Sequence, residues 1–154
     1  MTVDQMNAGF KWEAGLFLMT WEELAARYGR DTATAVMRAA MLAAGRRMGA
    51  HVAAQTGKTG TQGIKAAWEF LYGPQDVVEE SSDTYVIRGG RCAAYELWKS
   101  WGVSDELIAE LSDAYCIGDT GLACGIDPSV KLRHERRIMK GDSECRWVHH
   151  GRCE

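Results

Sequence analysis

The sequence predicts an α+β protein in which N-terminal helices pack on a small antiparallel sheet that ends in a C-terminal β-hairpin. Helical spacing of apolar residues dominates the first half, residues 1–74. The mixed half, residues 75–154, has β-branched residues at 84–87 and alternating residue types from 130 to 149. A chain of 154 residues, 46% hydrophobic and 25% charged, is typical of one globular domain, so residues 1–154 are expected to form a single domain.

Capping residues and glycines divide the helical half. Thr20 and Glu23 match a capping box, which predicts a short helix that ends at Gly29. Asp31 is the predicted N-cap of the next helix, and Gly57 is predicted to end it. The apolar residues of this second helix fall on one stripe, made of Met37, Met41, Ala44, Met48 and Val52.

Two glycines one turn apart in the second helix indicate close packing. Gly45 and Gly49 leave room for another backbone, either within the chain or across a dimer. A homodimer through the small-residue stripe of residues 33–54 is therefore one predicted partnership. His51 lies on the same stripe, where a hydrogen-bonded core histidine is expected.

Five further elements are predicted after the second helix. A third helix is predicted over residues 61–72. Residues 77–78 and 84–87 favour two paired strands because they are β-branched and lie next to turn residues. Residues 91–101 are helical by composition, and Ser104 is a favoured N-cap for the helix that follows.

The last third predicts a loop and then a hairpin. Residues 116–128 are rich in glycine and are predicted to form an irregular loop. Gly141-Asp142 is a candidate two-residue turn, and residues 150–154 are expected to form a frayed tail. A symmetric hairpin around that turn pairs Ile138 with Cys145, Arg136 with Trp147, and His134 with His149.

The charge balance argues against several classes of partner. Eighteen Lys and Arg against 21 Asp and Glu leave a net charge of −3, which gives no basic field for nucleic acid or anionic lipid. No apolar run reaches the roughly 20 residues of a membrane helix, and no basic stretch marks a signal peptide. Five cysteines without an export signal favour reduced thiols and a cytoplasmic location.

Thiols, one carboxylate and two histidines are the candidate catalytic groups. Cys92 is predicted near a helix N-terminus, which lowers the pKa of a thiol, and a buried core cysteine is the alternative. Cys116 and Asp119, three residues apart, could combine a thiol with a carboxylate. His134 and His149 could act as bases near neutral pH, and a half-solvated pair at a sheet edge is the alternative.

Metal and ligand binding are two further interpretations of these residues. Zinc is possible at a mixed site of Cys116, Asp119, Cys145 and His149. Because the chain has no Cys-x-x-Cys pair, no metal is predicted. Trp98 could form part of the wall of an apolar pocket for a small-molecule substrate.

Three separated elements resemble one known family. They are Cys92 with the helix after it, Cys116-x-x-Asp119, and Lys140-Gly141-Asp142-x-x-Cys145-x-Trp147. Their order resembles the L-2-amino-thiazoline-4-carboxylic acid hydrolase family over about two fifths of the chain, and distantly the vinyl-4-reductase-type small-molecule-binding domains. The resemblance implies helices packed on an antiparallel sheet and hydrolytic opening of a small heterocycle at a cyclic amidine-like carbon.

Four residues carry over from the family's motif by position, namely Cys92, Cys116, Asp119 and Cys145. The family usually has an acidic residue and a phenylalanine shortly after the last cysteine, whereas this chain has Arg146 and Trp147. The resemblance therefore leaves the identity of the substrate open.

The leading hypothesis is a cytoplasmic hydrolase that opens a small cyclic C–N compound. Either a thiolate, Cys92 or Cys116, attacks the electrophilic carbon, or Asp119 activates water for that attack. His134 or His149 would move the protons. The predicted substrate contacts are Trp98, Cys145 and Trp147. The alternatives are a non-catalytic small-molecule-binding module and another reaction, such as isomerisation or cyclisation, on the same scaffold.

Overall fold

The computed structural model describes residues 3–151, with side chains from residue 8 onward. The predicted tail residues 152–154 lie outside this range. The elements in chain order are α1 (Val3–Tyr28), α2 (Arg30–Thr56), α3 (Gly60–Tyr72), β1 (Asp76–Glu80), β2 (Thr84–Gly89), α4 (Ala93–Ser100), α5 (Asp105–Ile126), β3 (Lys131–Arg136), a 3₁₀ turn (Ile138–Lys140) and β4 (Cys145–His150). Over the described residues the chain forms five α-helices and one four-stranded antiparallel sheet, so the α+β prediction is confirmed.

The four strands form one antiparallel sheet in the order β1-β2-β4-β3. The C-terminal strand β4 therefore lies inside the sheet, with β2 on one side and β3 on the other. His150 pairs with Thr84 on β2 and Lys131 on β3, so its prediction as part of a frayed tail is wrong. Strand pairing on both edges satisfies its backbone groups, which a free tail could not do.

The first helix is far longer than the capping residues predict. Thr20 lies inside α1 and is not its N-cap, because the buried face of the helix continues through Phe17 and Trp21 on either side of it. Gly29, with φ 86°, separates α1 from α2 as predicted. It also takes the N-cap position that was predicted for Asp31, which lies in the first turn of α2.

Helices α2 and α5 run parallel and touch through their backbones. A Cβ atom added at Gly45 would lie 2.1 Å from the Gly118 carbonyl oxygen, and one at Gly49 would lie 2.2 Å from that of Leu122. Gly121 and Gly125 approach the α2 backbone equally closely. The close approach predicted from the α2 glycines is thus made within the chain, and these two glycines are not available to a second copy.

The predicted loop over residues 116–128 is wrong, because α5 continues to Ile126. Gly118, Gly121 and Gly125 recur every three to four residues, and that spacing places them on the side of the helix that faces α2. Glycine has a low helix propensity, but here the missing side chains allow two helices to pack at backbone distance. Tertiary packing therefore overrides the local preference for a loop.

The apolar stripe of α2 is rotated from its predicted position. Its buried residues are Ala33, Met37, Gly49 and Val52. Met48 is 44% exposed, and His51 is exposed, so the prediction of a core histidine is wrong. The cause is the glycine contact with α5, which places Gly45 and Gly49, and not Met48, against the other helix.

The C-terminal hairpin has a longer connection than the predicted two-residue turn. A bulge between His134 and Arg136 and the 3₁₀ turn after β3 use additional residues, so the register slides by two positions. His134 lies opposite Trp147, and His149 lies opposite Leu132, so the predicted pairing of the two histidines is wrong. A shift of two positions preserves the faces of β4, because side chains alternate along a strand.

Two clusters of buried apolar residues form the core. The first joins α1, α4 and α5 around Phe17, Trp98 and Leu111. The second joins α3 and the sheet around Trp68 and Ile87. Among the described residues, none of the helices has the length and apolar character needed to cross a membrane.

The contact between α2 and α5 predicts a large effect of one methyl group. Gly45→Ala places a Cβ against the Gly118 carbonyl and should lower the free energy of unfolding by more than about 2 kcal/mol in urea titrations. Gly9→Ala is the matched control, because a Cβ at this α1 position meets nothing within 4 Å. It should stabilise the protein by roughly 0.5–1 kcal/mol. Equal stability of the two variants would contradict backbone contact between the helices.

Candidate active site

Asp119 on α5 accepts hydrogen bonds from two strands of the sheet. Its Oδ2 atom lies 3.1 Å from His134 Nε2 on β3 and 2.9 Å from Trp147 Nε1 on β4. The register places these two donors opposite each other, so both reach the same oxygen. Trp147 stands where the resemblance leads one to expect phenylalanine, and its indole supplies an N–H donor that phenylalanine lacks.

The contact with Asp119 fixes the tautomer of the His134 imidazole. An ionised carboxylate can only accept hydrogen bonds, so Nε2 carries the proton and Nδ1 keeps its lone pair. Among the described residues, no group donates a hydrogen bond to Nδ1. The side chain of His134 is 5% exposed and that of Asp119 is 21% exposed, so the pair lies just below the surface. This arrangement can accept a proton at Nδ1 while the carboxylate stabilises the resulting imidazolium.

Three cysteines surround this pair, and each has a raised thiol pKa. Burial is the main cause in each case, and the negative charge of Asp119 adds to it. The pKa of Cys145 rises to about 11, and that of Cys116 rises further above its ordinary value. Cys92 is the N-cap of α4, where the Ala94 and Tyr95 amides lower its pKa, but burial outweighs them. The three thiols are therefore protonated near neutral pH.

The other contacts of these thiols are with nearby protein groups. Cys116 Sγ lies 3.9 Å from Ser112 Oγ and 3.9 Å from Met139 Sδ. Cys145 Sγ accepts a 3.4 Å hydrogen bond from the backbone amide of Ile138. Both contacts connect helix α5 or strand β4 to the 3₁₀ turn, so these sulfurs also support the connection between β3 and β4.

His149 has both ring nitrogens occupied inside the protein. Nδ1 donates to the Tyr85 carbonyl oxygen at 3.0 Å, and Nε2 accepts from Trp68 Nε1 at 3.2 Å. The side chain is fully buried, and burial lowers its pKa to about 4. His149 is therefore a neutral bridge between α3 and the sheet at physiological pH.

The residues of the possible zinc site do not fit a metal ion. Within residues 3–151, no three His, Cys, Asp or Glu side chains are grouped so that they could hold one. His149 has no free nitrogen for a metal, and Cys145 accepts an amide hydrogen bond. A thiolate ligand would also require loss of a proton that burial holds at Cys116.

A cleft of about 300 Å³ opens beside His134. The residues that line it are Arg38, Asp113, Cys116, Ile117, Thr120, His134 and Arg137. Two of the predicted catalytic residues, Cys116 and His134, therefore share one solvent-accessible space. Cys92 and Cys145 do not line this cleft.

The comparison with known proteins places the chain in one family. The chain matches the family described as L-2-amino-thiazoline-4-carboxylic acid hydrolase over residues 9–148, which is nearly its whole length. The chain belongs to this family. None of the curated proteins compared with the chain matches it. The family description is that of a hydrolase, so a hydrolase-type function is what membership supports.

Trp98 was predicted at the wall of a ligand pocket, but it lies in the first apolar cluster and does not line the cleft. It is fully buried, its Nε1 donates to the Ala14 carbonyl oxygen at 2.9 Å, and its ring packs 5.7 Å from that of Phe17. Trp98 thus connects α4 to α1 in the first apolar cluster. Cys92 packs against the same cluster.

Two groups near Asp119, Glu13 and Tyr72, were not predicted as site residues. Glu13 on α1 keeps contact with solvent, yet the surrounding protein and the charge of Asp119 raise its pKa. Burial and the charges of Asp119 and Glu13 raise the pKa of Tyr72. One signal was available: Glu13 lies three residues after Phe10 and four before Phe17, so it interrupts the inward-facing aromatic side of α1.

The buried His149 predicts a loss of stability in acid. The unfolded chain takes up a proton at this residue below pH 6.5, whereas the folded protein does so only near pH 4. Stability should therefore fall by roughly 3 kcal/mol as the pH drops through this window. Urea unfolding at several pH values should show a smaller slope for His149→Gln, which can still donate and accept. His51→Gln, at an exposed site, should keep the wild-type slope, and an unchanged slope in His149→Gln would refute the assignment.

Proposed function

We propose that the protein hydrolyses a small cyclic compound at an amidine-like carbon, using water activated by the Asp119–His134 pair. One observation carries the proposal: an imidazole held by a carboxylate oxygen at 3.1 Å also lines an open cleft. A positioned carboxylate and imidazole form the arrangement that general-base catalysis requires. The family description supports hydrolysis of a thiazoline ring as the type of reaction.

The proposed reaction uses His134 as the proton carrier. Its Nδ1 takes a proton from a water molecule while the water oxygen forms a bond to the electrophilic ring carbon. As that bond forms, the electron pair of the C=N double bond moves onto its nitrogen, which takes the proton back from the imidazolium. The new hydroxyl then gives its proton to His134 as a C=O double bond forms and the bond from that carbon to a ring heteroatom breaks, and the departing atom takes this proton from the imidazolium. One water is consumed, the ring opens, and His134 returns to its neutral form. Asp119 stabilises the positive charge on the imidazole between the two steps.

Water is favoured over a cysteine thiolate as the nucleophile. Burial raises the pKa of Cys92 and Cys116, so little thiolate is present near neutral pH. The Cys116 contacts to Ser112 and Met139 also do not include a base that could remove its proton. A protonated Cys116 at the cleft wall suits contact with a bound ring better than attack on it.

The remaining predicted site residues have supporting roles in this proposal. Trp147 fixes the carboxylate of Asp119 through its indole N–H, and Cys145 holds the 3₁₀ turn that follows β3. His149 and Trp98 stabilise the packing of helices against the sheet and against each other. The proton shuttle is therefore assigned to His134 and not to His149.

Removing either member of the pair should abolish turnover without unfolding the protein. With L-2-amino-thiazoline-4-carboxylic acid as substrate, Asp119→Asn and His134→Gln should each lower kcat/KM by at least about a hundredfold. Ring opening is measured by mass spectrometry as the gain of one water. Melting curves should confirm that both variants remain folded.

Asp127→Asn is the matched control for loss of a hydrogen-bonded carboxylate in the same region. Asp127 caps the end of α5 and accepts from the Gly60 amide at 2.9 Å and from Ser129. Its replacement should lower the melting temperature but leave kcat/KM within about threefold of wild type. Tight binding of the substrate by the wild type with no product would instead favour the non-catalytic binding module.

Replacing the thiols separates water attack from thiolate attack. Cys92→Ser and Cys116→Ser should each lower kcat/KM by less than about tenfold, since neither sulfur forms a bond to the substrate in this proposal. Loss of a covalent nucleophile costs on the order of ten-thousandfold or more. A loss of that size in a folded Cys116→Ser variant, with trapping of an acyl-type adduct on the wild-type cysteine, would overturn the water mechanism.

A further inference from the structure

We propose that Arg38 and Arg137 form the subsite that binds a carboxylate group of the substrate. Both side chains line the cleft that His134 and Cys116 also line. This inference rests on the proposed function, because it assigns the specificity-determining residues of the same site. Neither arginine belongs to the motif that carries the family resemblance.

The packing of α2 on α5 places Arg38 at the cleft. Arg38 lies three residues before Met41, whose side chain contacts Gly118 of α5. Because the two helices run parallel, the preceding turn of α2 lies beside the preceding turn of α5, which contains Asp113 and Ile117. The backbone contacts at Gly45 and Gly121 prevent these turns from moving apart.

Arg137 is positioned from the opposite side by the hairpin connection. It directly follows β3, and its backbone amide donates to Asp142 Oδ2 at 2.7 Å. Its guanidinium donates to Asp113, and its side chain is 21% exposed. The arginine head is thus fixed at the cleft wall and not free to swing into solvent.

The charges at this end of the cleft are unbalanced. Asp113 is shared between Arg137 and Lys140, whose Nζ lies 2.8 Å from its second oxygen. Arg38 makes no hydrogen bond or ion pair with any described residue, and its side chain is exposed. One acidic group therefore faces three basic ones, which leaves a net positive field at the position of a bound anion.

The site presents groups of both charges. Asp119 holds His134, which lines the cleft, and the two arginines line the cleft as well. A guanidinium matches a carboxylate with two parallel N–H donors. The hydroxyl of Thr120, which also lines the cleft, is a further donor. The site is thus complementary to a small molecule with an amidine-like ring and a carboxylate.

The test compares two substrates that differ only in the carboxylate, 2-amino-2-thiazoline-4-carboxylic acid and 2-amino-2-thiazoline. Arg38→Gln should raise KM for the acid by at least about tenfold with little change in kcat, since a charged hydrogen bond is lost. For the analogue without the carboxylate, kcat/KM should stay within about twofold of wild type. Arg38→Lys should recover part of the affinity for the acid, because it restores the charge without the fork.

Arg47→Gln is the control for removal of a positive charge from α2, because Arg47 is exposed and does not line the cleft. It should leave both substrates unaffected. Equal losses for the two substrates in Arg38→Gln, or no loss for either, would overturn the subsite.

A separate binding measurement distinguishes failure of the subsite from failure of the proposed reaction. If the wild type hydrolyses neither compound, the proposed function fails, and thermal shifts then test the subsite alone. Stabilisation of the wild type by the acid, reduced in Arg38→Gln and absent with the analogue that lacks the carboxylate, would support it. Equal shifts with both compounds, or no shift with either, would refute it.

Discussion

The contact between α2 and α5 through bare backbone is the constraint on which the rest of this structure depends. Gly45 and Gly49 on one helix meet Gly121 and Gly125 on the other at distances that leave no space for a Cβ atom. This contact fixes the rotation of α5 about its own axis. With that rotation fixed, Asp119 turns away from α2 and meets the sheet, where His134 and Trp147 donate to it.

The side of this contact that α2 contributes was predicted correctly from the sequence, and the side that α5 contributes was predicted wrongly as a loop. Gly45 and Gly49 lie in an otherwise helical, alanine-rich segment, so their close approach to another helix could be inferred from spacing. Gly118, Gly121 and Gly125 lie where local propensity favours a loop, and only the partner helix makes them helical. The hairpin register failed for a similar reason, because the bulge after His134 has no local sequence signal.

The residues of a catalytic site were proposed from the sequence, which stays a prediction, but their arrangement could not be proposed. Spacing and the family resemblance identified Asp119 and Cys116, and chemistry identified His134. Their assembly depends on the two-residue register shift, which places His134, and not His149, beside the carboxylate. Burial of the thiols reverses the pKa shift expected from a helix N-terminus at Cys92, and burial cannot be deduced from one position in a sequence. Arg38 is distant in sequence from every motif, so only the folded structure reveals its position at the cleft.

The residues of the backbone contact between the two long helices are different from those that line the cleft. Glycine has no side chain, so the contact between glycine and a carbonyl oxygen does not depend on any rotamer. Substitution of side chains elsewhere on α5 therefore requires no rearrangement at that contact. Ile117 and Thr120 stand in the cleft wall and take no part in the glycine contact. Under the proposed function, residues of the cleft wall can therefore change which molecule is bound without a change in how the two helices pack.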